Sequence, residues 1–142
     1  MGVEADILPE DMELDAMEMI VLPGGLGGVA SARASKPALD ALRYGWDQGR
    51  FVAAICAGPT VLADLGITDG RNATCYPGFE KFMTGAHYTH ELFTIDGNII
   101  TGEGPAATLP YSYEILRMFK GDDTVASLKE GMMYNHLMAE GK

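Results

Sequence analysis

Cysteine is scarce in this chain. It has 142 residues and two cysteines, Cys56 and Cys75. Two are too few for a disulfide scaffold, and a reducing cytoplasmic setting is expected. Basic residues are also few. Ten Lys and Arg stand against twenty Asp and Glu, for a net charge of -10. That balance argues against nucleic acid or an anionic membrane surface as partner. No apolar run approaches the roughly 20 residues of a membrane-spanning helix. The start, MGVEADILPED, lacks the basic-then-apolar order of a secretory signal. Repeats, low-complexity tracts and linkers are absent, and the length suits one domain over 1–142.

What is present is strand and helix in alternation. Glu18 to Leu22 reads as a short buried strand that runs into PGGLGG. Lys36 to Gln48 carries Leu39, Leu42 and Trp46 at helical spacing and stops at Gly49. Phe51 to Ile55 is continuously apolar, as in a parallel strand covered on both faces. Pro59 to Leu65 reads as a helix with proline in its first turn. Asn72 to Cys75 reads as a short strand. Asp96-Gly97 signals a hairpin between Glu91–Asp96 and Asn98–Thr101. Helices over Pro105–Phe119 and Asp123–Met132 follow. The expectation is an α/β doubly wound, mostly parallel sheet with helices on both faces. Ligands bind such sheets beyond the carboxyl ends of the strands. PGGLGG and CAGP both leave such ends, within one βαβ unit.

These two loops carry the chemistry. Gly25 to Ala30 fits G-x-G-x-x-A, a dinucleotide fingerprint. That reading wants an acid at the end of the next strand, where Cys56 stands. The glycines otherwise allow a tight turn, or Gly24 and Gly25 present N–H groups to an oxyanion. Cys56 sits where an apolar strand turns sharply into a helix, through Ala57 and Gly58. A nucleophile in such a turn is exposed above the sheet, and a helix N-terminus favours the thiolate. The opposing reading is an inert, packed thiol. His87, in GAHYTHE, is either a hydrogen-bonded loop residue or a proton carrier for Cys56. His87 and His90 lack a third ligand at useful spacing, so no metal is expected. Cys75 reads as a packed strand residue.

IVLPGG, AAICAGP, GAHYTHE and ITGEGPAATLPYS together resemble the ThiJ/PfpI superfamily. The resemblance is nearest to the branch of the parkinsonism-associated deglycase and its bacterial relatives. Cys-Ala-Gly, in place of Cys-His-Gly, sets the chain apart from the protease-like branch. The resemblance implies a flavodoxin-like fold, a homodimer and no cofactor. It places the reactive cysteine at Cys56 and the nearby histidine at His87. It places the oxyanion donors at Gly24, Gly25 and Ala57, and a pocket border at Gly104 and Pro105. Its activities are glutathione-independent glyoxalase and deglycase chemistry on small dicarbonyl or glycated substrates, oxidative-stress sensing and chaperoning. Relatives carry a preceding β-α-β segment whose glutamate hydrogen-bonds the cysteine, and this sequence shows no counterpart. Glu103 is one acid that could stand near the pocket. Three readings therefore stay open: an α-oxoaldehyde enzyme, a sensor with an oxidisable cysteine, and an inactive domain.

Overall fold

Phe51–Ile55 forms β2, the strand on which the site is built. Val52, Ala53 and Ala54 are fully buried, as a continuous apolar run demands. The computed structural model describes Gly2 and residues 4–140. The chain divides into two compact units, Met1–Ala107 and Thr108–Lys142. The first contains, in order, β1 (Met19–Leu22), α1 (Leu26–Ala34), α2 (Lys36–Asp47), β2, α3 (Pro59–Asp64), β3 (Asn72–Ala73), β4 (His87–Tyr88), β5 (Phe93–Asp96) and β6 (Ile99–Gly102).

The main sheet has strand order β1-β2-β6-β5. β1, β2 and β6 are parallel, and β5 closes one edge antiparallel to β6. Register brings Leu22 beside Ala54 and Ile55 beside Gly102. The carboxyl ends of three parallel strands are thus level, and the loops after them share one rim of the sheet. β3 and β4 form a separate parallel pair.

Local chemistry explains the helices. Ser35 caps α2 by accepting from the Ala38 N–H at 3.3 Å. Gly49, at φ 65°, ends it. Leu42 is fully buried, and Leu39 and Trp46 pack beside it against Val52, Ala54 and Ile99. Burial of one leucine side chain contributes about 1.5–3 kcal/mol. Gly45 lets α2 approach β1 and β2: a Cβ there would meet Ile20 Cγ2 at 3.3 Å and Val52 Cγ2 at 3.7 Å. Arg33 ties α1 to α3, with Nε 2.6 Å from Asp64 Oδ2 and Nη2 donating to Thr60 Oγ1 at 2.9 Å.

The second unit holds α4 (Thr108–Gly131) and α5 (Tyr134–Glu140). α4 breaks at Gly121, whose φ of 77° and ψ of 174° are not helical, so it is two helices in sequence. Tyr113 and Tyr134 meet edge to face at 4.9 Å, with Lys129 Nζ 5.0 Å from the Tyr113 ring centre.

The expected α/β fold with a parallel-dominated sheet is the one observed. The expected helix at Pro105 opens as a turn of 3-10 helix over Pro105–Ala107, and the α-helix begins at Thr108. Two helices escape the pattern reading, α1 and α5. α1 carries Gly27 and Gly28 in its first turn, and each glycine lowers helix preference by about 1 kcal/mol.

Candidate active site

Cys56 stands immediately after β2 with φ at 63°. A non-glycine residue pays a conformational penalty there of about 1–3 kcal/mol. Both of its backbone groups are pinned. Its N–H donates to Gly102 O at the end of β6 (2.9 Å), and its carbonyl accepts from the Tyr76 N–H (2.9 Å). Gly58 N–H closes the turn onto Ile55 O at 3.0 Å. Strand ends on either side therefore hold the strained turn in place.

The two glycine loops are packed backbone on backbone. A Cβ on Gly24 would lie 2.5 Å from Cys56 Cβ, 2.9 Å from Ile55 O and 3.2 Å from Cys56 Sγ. One on Gly58 would lie 2.9 Å from Leu22 O. Glycine at these two positions is a requirement of the close approach. Gly25, at φ 86°, turns the chain into α1. Cys56 itself is half-buried.

Beside the thiol is an apolar cavity of about 240 Å³, lined by Gly25, Leu26, Cys56, Ala57, Tyr76 and Phe79. A second cavity, of about 440 Å³, is lined by Tyr76, Glu103, Gly104, Pro105 and neighbouring residues. Tyr76 lines both. Its ring meets Phe79 edge to face at 6.1 Å and rests on Gly104, where a Cβ would come within 3.2 Å of ring atom Cδ2.

Of the expected site residues, Gly24, Gly25 and Ala57 do surround Cys56. Gly104 and Pro105 lie in the second cavity, across Tyr76, together with Glu103. His87 is not brought to Cys56. It is exposed on β4, paired in register with Asn72, and its N–H donates to Arg71 O. Asn72 precedes Tyr76 by four residues, and His87 is absent from the described residues that line the Cys56 cavity. His87 is therefore level with the start of β3, whereas Tyr76 is the residue that touches the Cys56 turn.

Tyr76 and Phe79 are the site residues that motif reading missed. The signal was present: Tyr76-Pro77-Gly78 follows the expected strand Asn72–Cys75, of which Asn72–Ala73 is strand in the structure, much as Cys56 follows β2. Cys75 is the chemical opposite of Cys56. It is fully buried against Ala73 and Met83. Burial, with smaller contributions from Glu80, Cys56 and Glu103, pushes its thiol up to about 12. Among the described residues no cluster of three or more His, Cys, Asp or Glu could hold a metal ion. No described helix is long and apolar enough to cross a membrane.

Known proteins match this chain in sequence and in fold. A model of the DJ-1/PfpI family matches residues 1–118. The chain belongs to the DJ-1/PfpI family. Among DJ-1/PfpI relatives, dj-1beta of Drosophila melanogaster is 32% identical over 136 residues, covering 92% of this chain and 73% of that protein. A Parkinson disease protein 7 homolog of Danio rerio is 34% identical over 115 residues, 79% of this chain and 61% of its own length. A deglycase of Pyrococcus horikoshii is 28% identical over 121 residues, 84% of this chain and 72% of that protein. Oxidized DJ-1 of Toxoplasma gondii superposes with a TM-score of 0.83 at 25% identity, covering 92% of this chain and 72% of that one. The flavodoxin-like DJ-1 fold is thereby established. The chain spans about three quarters of the fly and archaeal proteins, and less than two thirds of the zebrafish one.

Proposed function

We propose that this DJ-1/PfpI chain is a cysteine-dependent, glutathione-independent catalyst of α-oxoaldehyde conversion, with methylglyoxal as the representative substrate. The observation that carries the reading is Cys56: a half-buried thiol at φ 63°, held on a pinned turn at the wall of an apolar cavity. Family membership and the deglycase relatives support it.

The chemistry runs as follows. The Cys56 sulfur adds to the aldehyde carbon, and the carbonyl oxygen takes up a proton, giving a hemithioacetal. The proton on that carbon is removed, and an enediol forms across the two carbons. Reprotonation at the neighbouring carbon leaves a thioester of the 2-hydroxy acid. Water cleaves the thioester, releasing the acid and restoring the thiol. Gly25 and Ala57 both line the cavity, which supports assigning their N–H groups as donors to the developing oxyanion. Besides Cys56, Tyr76 is the one ionisable side chain among the described residues that line this cavity. Its hydroxyl, rather than the imidazole of His87, is therefore assigned the proton transfer. General acid–base help of this kind contributes about 10²–10⁴-fold.

The test is incubation with methylglyoxal in D₂O without glutathione, followed by proton NMR. The reading requires lactate from the native chain and none from Cys56→Ala. Equal lactate from both would overturn it.

A second reading has its own observation. Cys56 is half-buried and Cys75 fully buried, so a peroxide would reach one thiol and not the other. Two-electron oxidation of Cys56 by peroxide gives a sulfenic acid and water, and a second equivalent gives the sulfinic acid. Selective oxidation at Cys56 with no dicarbonyl turnover would favour a sensor.

A further inference from the structure

We infer that the Tyr76 ring is a size-determining partition, which restricts the Cys56 cavity to compact, uncharged α-oxoaldehydes. In its substrate terms this rests on the α-oxoaldehyde reading above and narrows it: free dicarbonyls are favoured over bulky glycated side chains.

Tyr76 is the residue common to the walls of both cavities. It is fixed from three directions. Its N–H is bonded to Cys56 O at 2.9 Å, its ring meets Phe79 from the nucleophile's cavity, and it rests on Gly104 from the other. The ring thus stands between the thiol and the space that holds Glu103. On the Cys56 side, about 240 Å³ remains, below the roughly 300–1,000 Å³ of sites that take drug-sized ligands. Without the ring, that space would join a further cavity of about 440 Å³. Among the described residues neither wall includes Lys or Arg, and Glu103 lines the outer space. A carboxylate-bearing carbonyl compound finds no cation there and is repelled. Tyr76 is 45% exposed, so its ring can be removed without excavating the core.

The experiment reads Cys56 directly and needs no turnover. Second-order alkylation rates are measured by intact mass on the full chain, with iodoacetamide as compact probe and monobromobimane as bulky probe. The native chain is compared with Tyr76→Phe, Tyr76→Ala and Gly104→Ala, and circular dichroism checks folding. Tyr76→Ala is expected to raise the bimane-to-iodoacetamide rate ratio by about tenfold, the scale on which a pocket wall discriminates. Tyr76→Phe keeps the ring and the native ratio. Gly104→Ala presses a methyl group on the ring and lowers the ratio, which provides a test even where Tyr76→Ala does not fold. An unchanged ratio in folded Tyr76→Ala, or in Gly104→Ala, overturns the partition. A shifted ratio in the variants, with no lactate from the native chain, leaves the partition standing and removes the substrate reading.

Discussion

Replacing Gly24 by alanine should damage both stability and the thiol, because the new methyl group has nowhere to go. Its Cβ would lie 2.5 Å from Cys56 Cβ, 2.9 Å from Ile55 O and 3.2 Å from Cys56 Sγ. Sγ can turn away about χ1, but Cys56 Cβ and Ile55 O are fixed to the backbone. Cys56 is fixed by hydrogen bonds through both its N–H and its carbonyl, and Ile55 is locked in the sheet. Relief therefore requires movement of the turn itself. Overpacking of this kind costs about 1–3 kcal/mol. For a chain near this length, that lowers Tm by about 3 °C per kcal/mol. Gly28→Ala is the matched control. That glycine lies in the first turn of α1, is exposed, and a Cβ there meets nothing within 4 Å. The same chemical change should stabilise the chain, by up to about 1 kcal/mol. Thermal melts and urea titrations of both variants, with the iodoacetamide rate at Cys56, make the comparison. Equal stability of the two variants, with an unchanged Cys56 rate, would refute the close packing of the glycine loop on the nucleophile.

Four further outcomes follow from the structure. Cys56→Gly should be more stable than Cys56→Ala by about 1 kcal/mol, since glycine occupies φ 63° without the steric penalty of an L residue; urea denaturation checks it. Iodoacetamide at pH 8 should label Cys56 and spare Cys75, whose thiol stays protonated to about 12. As pH rises past 9 the unfolded Cys75 loses its proton before the folded one, so native stability falls toward pH 12, less so in Cys75→Ala. The Asp96 carboxyl is held below its ordinary value by the Asn72 N–H and by Arg71. Its contribution is present above about pH 4 and is lost as pH falls through the folded value. The stability gap between the native chain and Asp96→Asn should close in acid.

Where the sequence was legible, a single physical pattern was enough. Phe51–Ile55 is continuously apolar because it is covered on both faces, and it forms β2 with the expected bounds. Asp96-Gly97 marks the β5–β6 hairpin, with Gly97 at φ 62°. The thiol turn was legible too, since a cysteine between an apolar strand and Ala-Gly-Pro has few ways to be placed. His87 was not. A two-residue strand pairing with Asn72 sets its position, and no local pattern encodes which of two short strands lies level with the thiol. The role of Tyr76 was hidden for the related reason that it comes from contacts with Cys56 and Gly104, distant in sequence. α1 was hidden because two glycines mask a helix that tertiary packing of Val29 stabilises.

The central claim is that the Cys56 sulfur meets the aldehyde carbon in the apolar cavity. The most direct measurement is the rate of Cys56 alkylation by iodoacetamide at increasing methylglyoxal concentration, read by peptide mass mapping after quenching. The account predicts a saturable fall in rate that reverses when methylglyoxal is removed, because a hemithioacetal occupies the sulfur. A rate independent of methylglyoxal would contradict it.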